Sequence, residues 1–403
     1  MKAPSKSGAS LAPVPDHVPA NLVYDYDYID DPGLIEEPHW RMQDLAEHHN
    51  PVFWSPRLGG YWVTCSKEWV QDITLNTDIF SSESNMIPPM EEKVKLIPLS
   101  LDPPEHTAYR MPLNRDFSPA GVAKFTDMFR AMADDLILKV ADQGHCDFLT
   151  DIAEPLPVTL FMKMAGMPTD RLAEFRKLAE DATAAPEGSV RRQAFGQIVV
   201  ILTETIKARQ ESPRDDLISK LLTIEVHGRK LTLEELQSYA MLLFLGGLET
   251  VVNALTFSIR YLAVNQELQA ELRGDPSGIS RAVEELLRLH GIASTIREVT
   301  RDVTFKGVDF KKGERILLHI PAANYDPEAF SDPAAFIPDR KEHHITFNSG
   351  PHRCLGANLA RLELRNFLQL WFERVPRFRL DPDKPPVFFG GLNLAVRHLP
   401  IVW

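Results

Sequence analysis

One cysteine stands where sulfur chemistry is favoured. In FNSGPHRCLG, Phe347 to Gly356, glycines flank Cys354 just ahead of a predicted helix that starts near Leu355. A helix N-terminus turns N–H donors and positive dipole toward the sulfur, which lowers its pKa and favours the thiolate. A thiolate so placed is a good soft ligand for iron. Gly350 would let the loop approach a flat cofactor, and Phe347 would pack beside a metal-bound sulfur. An isolated cysteine is more often a buried structural thiol, but these neighbours argue for a ligand.

Three further groupings carry chemistry. GGLET, Gly246 to Thr250, interrupts a long apolar helical stretch with two glycines, each costing about 1 kcal/mol of helix stability relative to alanine. Such a weakness is explained if something packs against the backbone there, and the adjoining acid and alcohol, Glu249 and Thr250, suit proton delivery. The plain alternative is an amphipathic helix whose threonine bonds its own i−4 carbonyl. Glu285 and Arg288 lie one turn apart, with Arg340 in FIPDR within reach, so they would form a buried charge network that is stable only when every member is satisfied. That network belongs to folding and cofactor loading. His106 and Arg110 are four apart on a predicted helix and, with Arg297 and His352, are surface residues or the basic partners of an anionic ligand.

The elements that must position these residues are mostly helices. Apolar positions recur at three and four from about Pro119 to Leu289, and Thr232 with Glu235 makes a capping box that opens a helix of roughly thirty residues, about 45 Å long. VFWSPRLGGYWVT, from Val52 to Thr64, reads as a hairpin, and VTFKGVDF and RILLHIPAANY return to strand-like runs after Arg297. Helical spacing resumes in LGANLARLELRNFLQLWFERV. The expected fold is mainly α with a minor β part, in one domain over residues 21–403 behind a flexible, proline-rich tail over 1–20. The 403 residues carry a formal net charge of -12, which argues against nucleic acid as the main partner. With 3 cysteines, no signal-peptide run and no stretch of about 18 uncharged apolar residues, a soluble cytoplasmic protein is expected.

In their order along the chain these motifs resemble those of the cytochrome P-450 superfamily. Its haem signature of Phe, Gly, Cys and Gly is matched by Phe347, Gly350, Cys354 and Gly356, its Glu-x-x-Arg by Glu285 and Arg288, and the later arginine segment by Phe336, Pro338 and Arg340. The resemblance implies haem b held between the long central helix and the cysteine loop, with Cys354 on the iron and Phe347 and Gly356 beside it. It further implies propionates on His106, Arg110, Arg297 and His352, and dioxygen activation at Gly246, Glu249 and Thr250. LLFLGGLETVVNAL, SLDPPEHTAYR, EELLR and LPIVW look like the bacterial camphor hydroxylase branch. Electrons there come from a [2Fe–2S] ferredoxin and its NADH-dependent reductase, which implies docking on Arg110, Arg353, Arg361 and Arg365.

The same branch places the substrate pocket at Met86, Val94, Leu96, Leu99, Leu242, Leu245, Ala293, Thr295 and Leu392, with Ile87 and Met90 on the same loop. Camphor hydroxylases carry a tyrosine where this chain has Val94, so a compact cyclic terpenoid or norisoprenoid ketone, ionone-like, is expected in place of camphor. Asn348 stands where glycine is usual. The rival readings are a peroxygenase, which Glu249 and Thr250 argue against, a haem-binding sensor or carrier without turnover, and a purely structural helical protein.

Overall fold

A computed structural model describes residues 11–403 except 85, 89–94, 172, 176, 179–180 and 182–187. Helices make up its larger part. Those that position the candidate site are α1 (Pro38–His48), α2 (Glu105–Asn114), α3 (Thr126–Ala141), α4 (Pro155–Ala165), α5 (Leu233–Leu248), α6 (Thr250–Val264), α7 (Ile279–Leu289) and α8 (Ala357–Arg374). The main apolar core lies among α3, α4, α5, α6 and α8, with Phe129, Phe148, Phe244, Phe367 and Trp371 fully buried.

The β part is small. Strands β1 (Val52–Ser55), β2 (Tyr61–Thr64), β3 (Phe80–Ser81), β4 (Thr295–Val299) and β5 (Arg315–Leu318) form one sheet in the order β1-β2-β5-β4-β3, with β5 parallel to β2 and the other pairs antiparallel. The expected hairpin over 52–64 is β1 and β2, and VTFKGVDF forms a separate hairpin that turns at Lys306 and Gly307, both at positive φ. Residues with φ near +50 to +80° at both turn positions give the twist that tight hairpins need.

The structure refines three expectations. The helix opened by the Thr232–Glu235 capping box runs through residues 233–264 as expected, but it bends at Glu249, which keeps right-handed helical torsions at φ -100 and ψ -33 and divides α5 from α6. The cause is local: two glycines weaken the turn, and the Thr250 hydroxyl takes the Gly246 carbonyl at 3.0 Å. The helix expected to begin near Leu355 starts at Ala357, with Gly356 as its N-cap. The expected tail over 1–20 is, from Leu11 on, docked onto the domain: Ala12 N–H donates to the Pro56 carbonyl, His17 meets Glu314 at 2.9 Å, and Val18 is buried.

By length and composition residues 233–264 could cross a bilayer, yet 56% of their most apolar stretch is buried inside this fold. Here that apolarity serves the core.

Three buried histidines lie away from the candidate site. His39 packs edge-on against His290 with ring centroids 4.7 Å apart, and His319 sits between Tyr26 Oη at 2.6 Å and Ser294 Oγ at 2.8 Å. Burial pushes His39 and His319 down to about 3 from 6.5 and His290 well below it. The unfolded chain takes up protons as pH drops through 6.5, whereas the folded chain does not until near 3. Stability is therefore full above 6.5 and is lost as pH falls, at up to about 1.4 kcal/mol per pH unit for each histidine. Urea unfolding should show a midpoint that drops by a clear margin from about pH 7 to about pH 5; a flat midpoint would remove these histidines from acid lability.

Candidate functional site

The cysteine loop is built by backbone bonds. Cys354 N–H donates to the Phe347 carbonyl at 2.8 Å and Arg353 N–H to the Gly350 carbonyl at 3.2 Å, folding the segment into a tight bulge before α8. Asn348 adopts φ 59 and Gly350 φ 65. Asparagine tolerates this left-handed region because its side chain bonds locally, and here Asn348 Oδ1 accepts the Ser349 N–H at 2.8 Å while Nδ2 reaches Thr295 Oγ1 at 3.4 Å. Gly350 has a further reason besides the one expected. Its φ is positive, and a Cβ there would lie 2.8 Å from the Thr74 carbonyl oxygen, so glycine also lets the loop close on the helix Lys67–Leu75.

Cys354 is exposed by surface area, yet burial is the first cause raising its thiol above the usual value. Both hold if the sulfur opens onto an enclosed space rather than bulk water. Against that rise work a hydrogen bond from the Gly356 backbone and the positive charges of Arg110, Arg353 and Arg361. The neutral thiol is thus favoured only while nothing takes the proton's place; a cation bound at the sulfur reverses the balance.

On α5 and into α6 one stripe is uncovered. Leu242, Leu245, Glu249 and Thr250 are half-buried and Gly246 is exposed, although Met241, Phe244 and Leu248 between them are buried. The glycine pair divides its work. A Cβ on Gly247 would lie 2.5 Å from the Phe161 ring, so that glycine lets α4 close on the helix, whereas a Cβ on Gly246 would meet nothing within 4 Å. Thr250 is back-bonded to Gly246, as the plain reading of this motif had it, and that bond coincides with the bend at Glu249.

Four basic residues converge from three elements. His106 and Arg110 come from α2, Arg297 from β4 and His352 from the cysteine loop, and the rings of His106 and His352 are 4.1 Å apart. Both ring nitrogens of His106, Nε2 of His352, and Nε and Nη2 of Arg297 are buried without any partner. Burial, then mutual repulsion, lowers His106 to about 4, and burial with the charge of Arg297 lowers His352 to about 2; Arg297 itself falls to about 10. So many orphaned donors in one place fit an anionic group, such as two carboxylates, which would satisfy them and reverse each shift. Arg110 is half-buried and donates to the Arg353 carbonyl at 2.6 Å.

Ser82 was not read from the sequence. Its hydroxyl is also buried without a partner, and continuing the β3–β4 register past Ser81 opposite Glu298 puts it opposite Arg297. No motif marks it; only the sheet does.

The Glu285 network is complete. Arg288 donates to Glu285 at 2.7 and 2.8 Å and to the carbonyls of Asn324, Pro333 and Ala335, while Arg340 and the Ile337 N–H also reach Glu285 Oε1, at 3.1 and 3.0 Å. A buried carboxylate this well hydrogen-bonded stays charged, and its pKa lies below the usual value despite the opposing effect of burial. The three charges fasten α7 to the segment before the cysteine loop.

The expected pocket residues separate into groups. Leu96 and Leu99 are half-buried on a loop pinned to α5 by Ser238, whose Oγ donates to the Lys95 carbonyl at 2.6 Å and accepts the Ile97 N–H at 2.8 Å. Ala293, Thr295 and Leu392 are half-buried where the segment leading into β4 bridges the chain at Asn393, with Ser294 N–H on the Leu392 carbonyl at 2.7 Å. Met86 is 38% exposed, and Ile87 belongs to the core, with Tyr28 Oη on its carbonyl at 2.6 Å. Val94 and Met90 lie outside the described residues.

Of the four arginines expected to dock a partner, Arg353 and Arg365 are exposed. Arg361 is half-buried, pairs with Glu284 and lies over the Phe347 ring, so part of its charge is neutralised inside the protein.

Comparison with known proteins agrees with this arrangement. A family model described as Cytochrome P450 matches residues 184–276 and 279–400. The chain is 32% identical over 402 residues to the Probable cytochrome P450 127A1 of Sinorhizobium fredii, covering 97% of each chain. It is 32% identical over 384 residues to the Steroid C26-monooxygenase of Mycolicibacterium smegmatis, covering 93% of each. The crystal structure of CYP101J2 matches with a TM-score of 0.90 at 33% identity, covering 97% of this chain and 100% of that one.

Proposed function

The chain belongs to the cytochrome P450 family and is a haem-thiolate monooxygenase, and from that premise we propose that it hydroxylates a compact, mostly apolar cyclic terpenoid or norisoprenoid ketone. Haem, when bound, supplies the dioxygen activation and electron chemistry that place one oxygen atom in the product. The chain's own residues do the rest. Cys354 would hold the iron, His106, Arg110, Arg297 and His352 the propionates, and the orphaned donors among them are what supports that assignment. Gly246 leaves the helix surface open, Thr250 holds a proton on Oγ1, and Glu249 stands beside it to exchange protons with solvent.

The observation that carries the substrate reading is the uncovered stripe of Leu242, Leu245 and Gly246, with Leu96, Leu99, Ala293 and Leu392 also partly uncovered. These side chains offer shape and few hydrogen bonds, so orientation rests on fit. A steroid is the competing class, since one relative is named for that activity. Electrons would come from a [2Fe–2S] ferredoxin with an NADH-dependent reductase, docking at Arg353 and Arg365 near half-buried Arg110. A cytoplasmic setting fits the 3 unpaired cysteines.

The test is a titration of the haem-loaded protein with ionone, camphor and a steroid, read by the spin-state shift of the ferric haem, followed by product analysis with ferredoxin and reductase. Ionone is expected to bind about tenfold more tightly than camphor, roughly the worth of one hydrogen bond in a pocket lacking the donor. Tighter binding of the steroid, or camphor hydroxylated at one carbon with full coupling, would overturn the substrate reading. Absence of both oxygen consumption and product with all of them would favour the carrier without turnover.

A further inference from the structure

Arg361 has work of its own. Its Nε and Nη2 donate to Glu284 Oε1 and Oε2 at 2.7 and 2.8 Å, a fork-to-fork pair that fixes the guanidinium plane. Glu284 Oε2 also accepts His344 Nε2 at 3.1 Å. Nδ1 of that ring accepts the Thr346 N–H at 3.2 Å, so the ring proton sits on Nε2 and points at Glu284. The Arg361 guanidinium carbon lies 4.5 Å from the Phe347 ring centroid, and the His344 ring flanks the same phenylalanine at 5.8 Å. The Phe347 carbonyl in turn takes the Cys354 N–H at 2.8 Å.

Adjacent acids on α7 thus face different ways. Glu285 closes the buried arginine network, and Glu284 reaches out to the cysteine loop. We propose that Glu284, Arg361 and His344 form a clamp on Phe347 that positions the Cys354 sulfur and sets the electrostatic field at it. They are positioning residues: none touches the reacting atoms. Two effects follow from the geometry. The clamp keeps the aromatic ring, and through its carbonyl the cysteine N–H, in one place. It also sets the Arg361 charge, partly cancelled by Glu284, against the Phe347 ring whose own carbonyl holds the Cys354 N–H. A cation near an electron-rich ligand stabilises the reduced state of the site.

The test uses full-length, haem-loaded Arg361→Gln, Arg361→Lys, Glu284→Gln and His344→Gln proteins, read by reduction potential and by the rate at which the thiolate-type carbon monoxide complex converts to the thiol-type one. Arg361→Gln should lower the potential, because a cation is lost. Glu284→Gln should raise it, because Arg361 is no longer neutralised. Both should speed conversion, by about 10–100-fold, the usual cost of outer-shell changes at metal sites. His344→Gln, which keeps a donor to Glu284 but loses the flanking ring, should leave the potential near its starting value and speed conversion less. Arg361→Lys should restore the potential but not the slow conversion, since lysine has neither fork nor plane. Should one variant fail to take up haem, Glu284→Asp, which keeps the charge and shortens the reach, is measured in its place. Shifts of the same sign in Arg361→Gln and Glu284→Gln overturn the proposal. So does an Arg361→Gln protein altered only in its affinity for ferredoxin.

Discussion

Cys354→His is expected to abolish the thiolate-specific absorption band of the reduced carbon monoxide complex, and monooxygenation with it. The loss should exceed the roughly 10–100-fold that changes around metal ligands cause, because the ligand itself is exchanged. The loop is already shaped for this sulfur: its N–H is bonded to Phe347 and the Gly356 backbone supports the charged form. Histidine at 354 brings a neutral ligand with a longer reach into a bulge held by Asn348 and Gly350 at positive φ. Haem uptake and far-ultraviolet circular dichroism should stay near those of the parent protein, which separates ligand loss from unfolding. A thiolate-type band that survived the substitution would mean another residue holds the iron.

Thr250→Ala should keep substrate binding and lose coupling. The hydroxyl lies at the bend between α5 and α6 and donates to the Gly246 carbonyl at 3.0 Å, so its proton is held in place and can be redirected by a rotation about χ1. Alanine removes that proton while favouring the helix, and the uncovered stripe beside it is untouched. The spin-state shift on substrate binding should therefore persist. Product formation should fall by about 10²-fold, the lower end of what a positioned proton donor contributes, while NADH oxidation continues and hydrogen peroxide accumulates. Thr250→Ser should recover most of the product. An alanine variant that turned nearly all its NADH into hydroxylated product would take Thr250 out of proton delivery.

Much of the architecture could be read from local patterns. The 52–64 hairpin, the Thr232–Glu235 capping box and the helical middle all follow from periodicity and turn chemistry, which act over a few residues. The reading of the chain as a haem-thiolate monooxygenase came from motif order. What the sequence did not disclose depends on contacts between distant segments. Ser82 is placed opposite Arg297 only by extending a strand register, and the room a side chain at Gly350 would need is taken by the Thr74 carbonyl. Arg361 looked like a free surface cation because its partner, Glu284, lies on another helix. The bend at Glu249 escaped because no proline or cap marks it; the competing hydroxyl of Thr250 had been weighed only as a harmless back-bond.

The docked residues from Leu11 to Tyr24 have a role beyond extending the chain. Strand β1 ends the five-stranded sheet, and an uncovered end strand offers a row of unpaired peptide groups to any other extended chain. Here Tyr24 N–H donates to the Trp54 carbonyl at 2.9 Å, Val23 bridges Trp54 in parallel, and Ala12 caps the Pro56 carbonyl just past the strand. The molecule thus supplies its own sacrificial neighbour and closes the site where self-association, and eventually insoluble assembly, would begin.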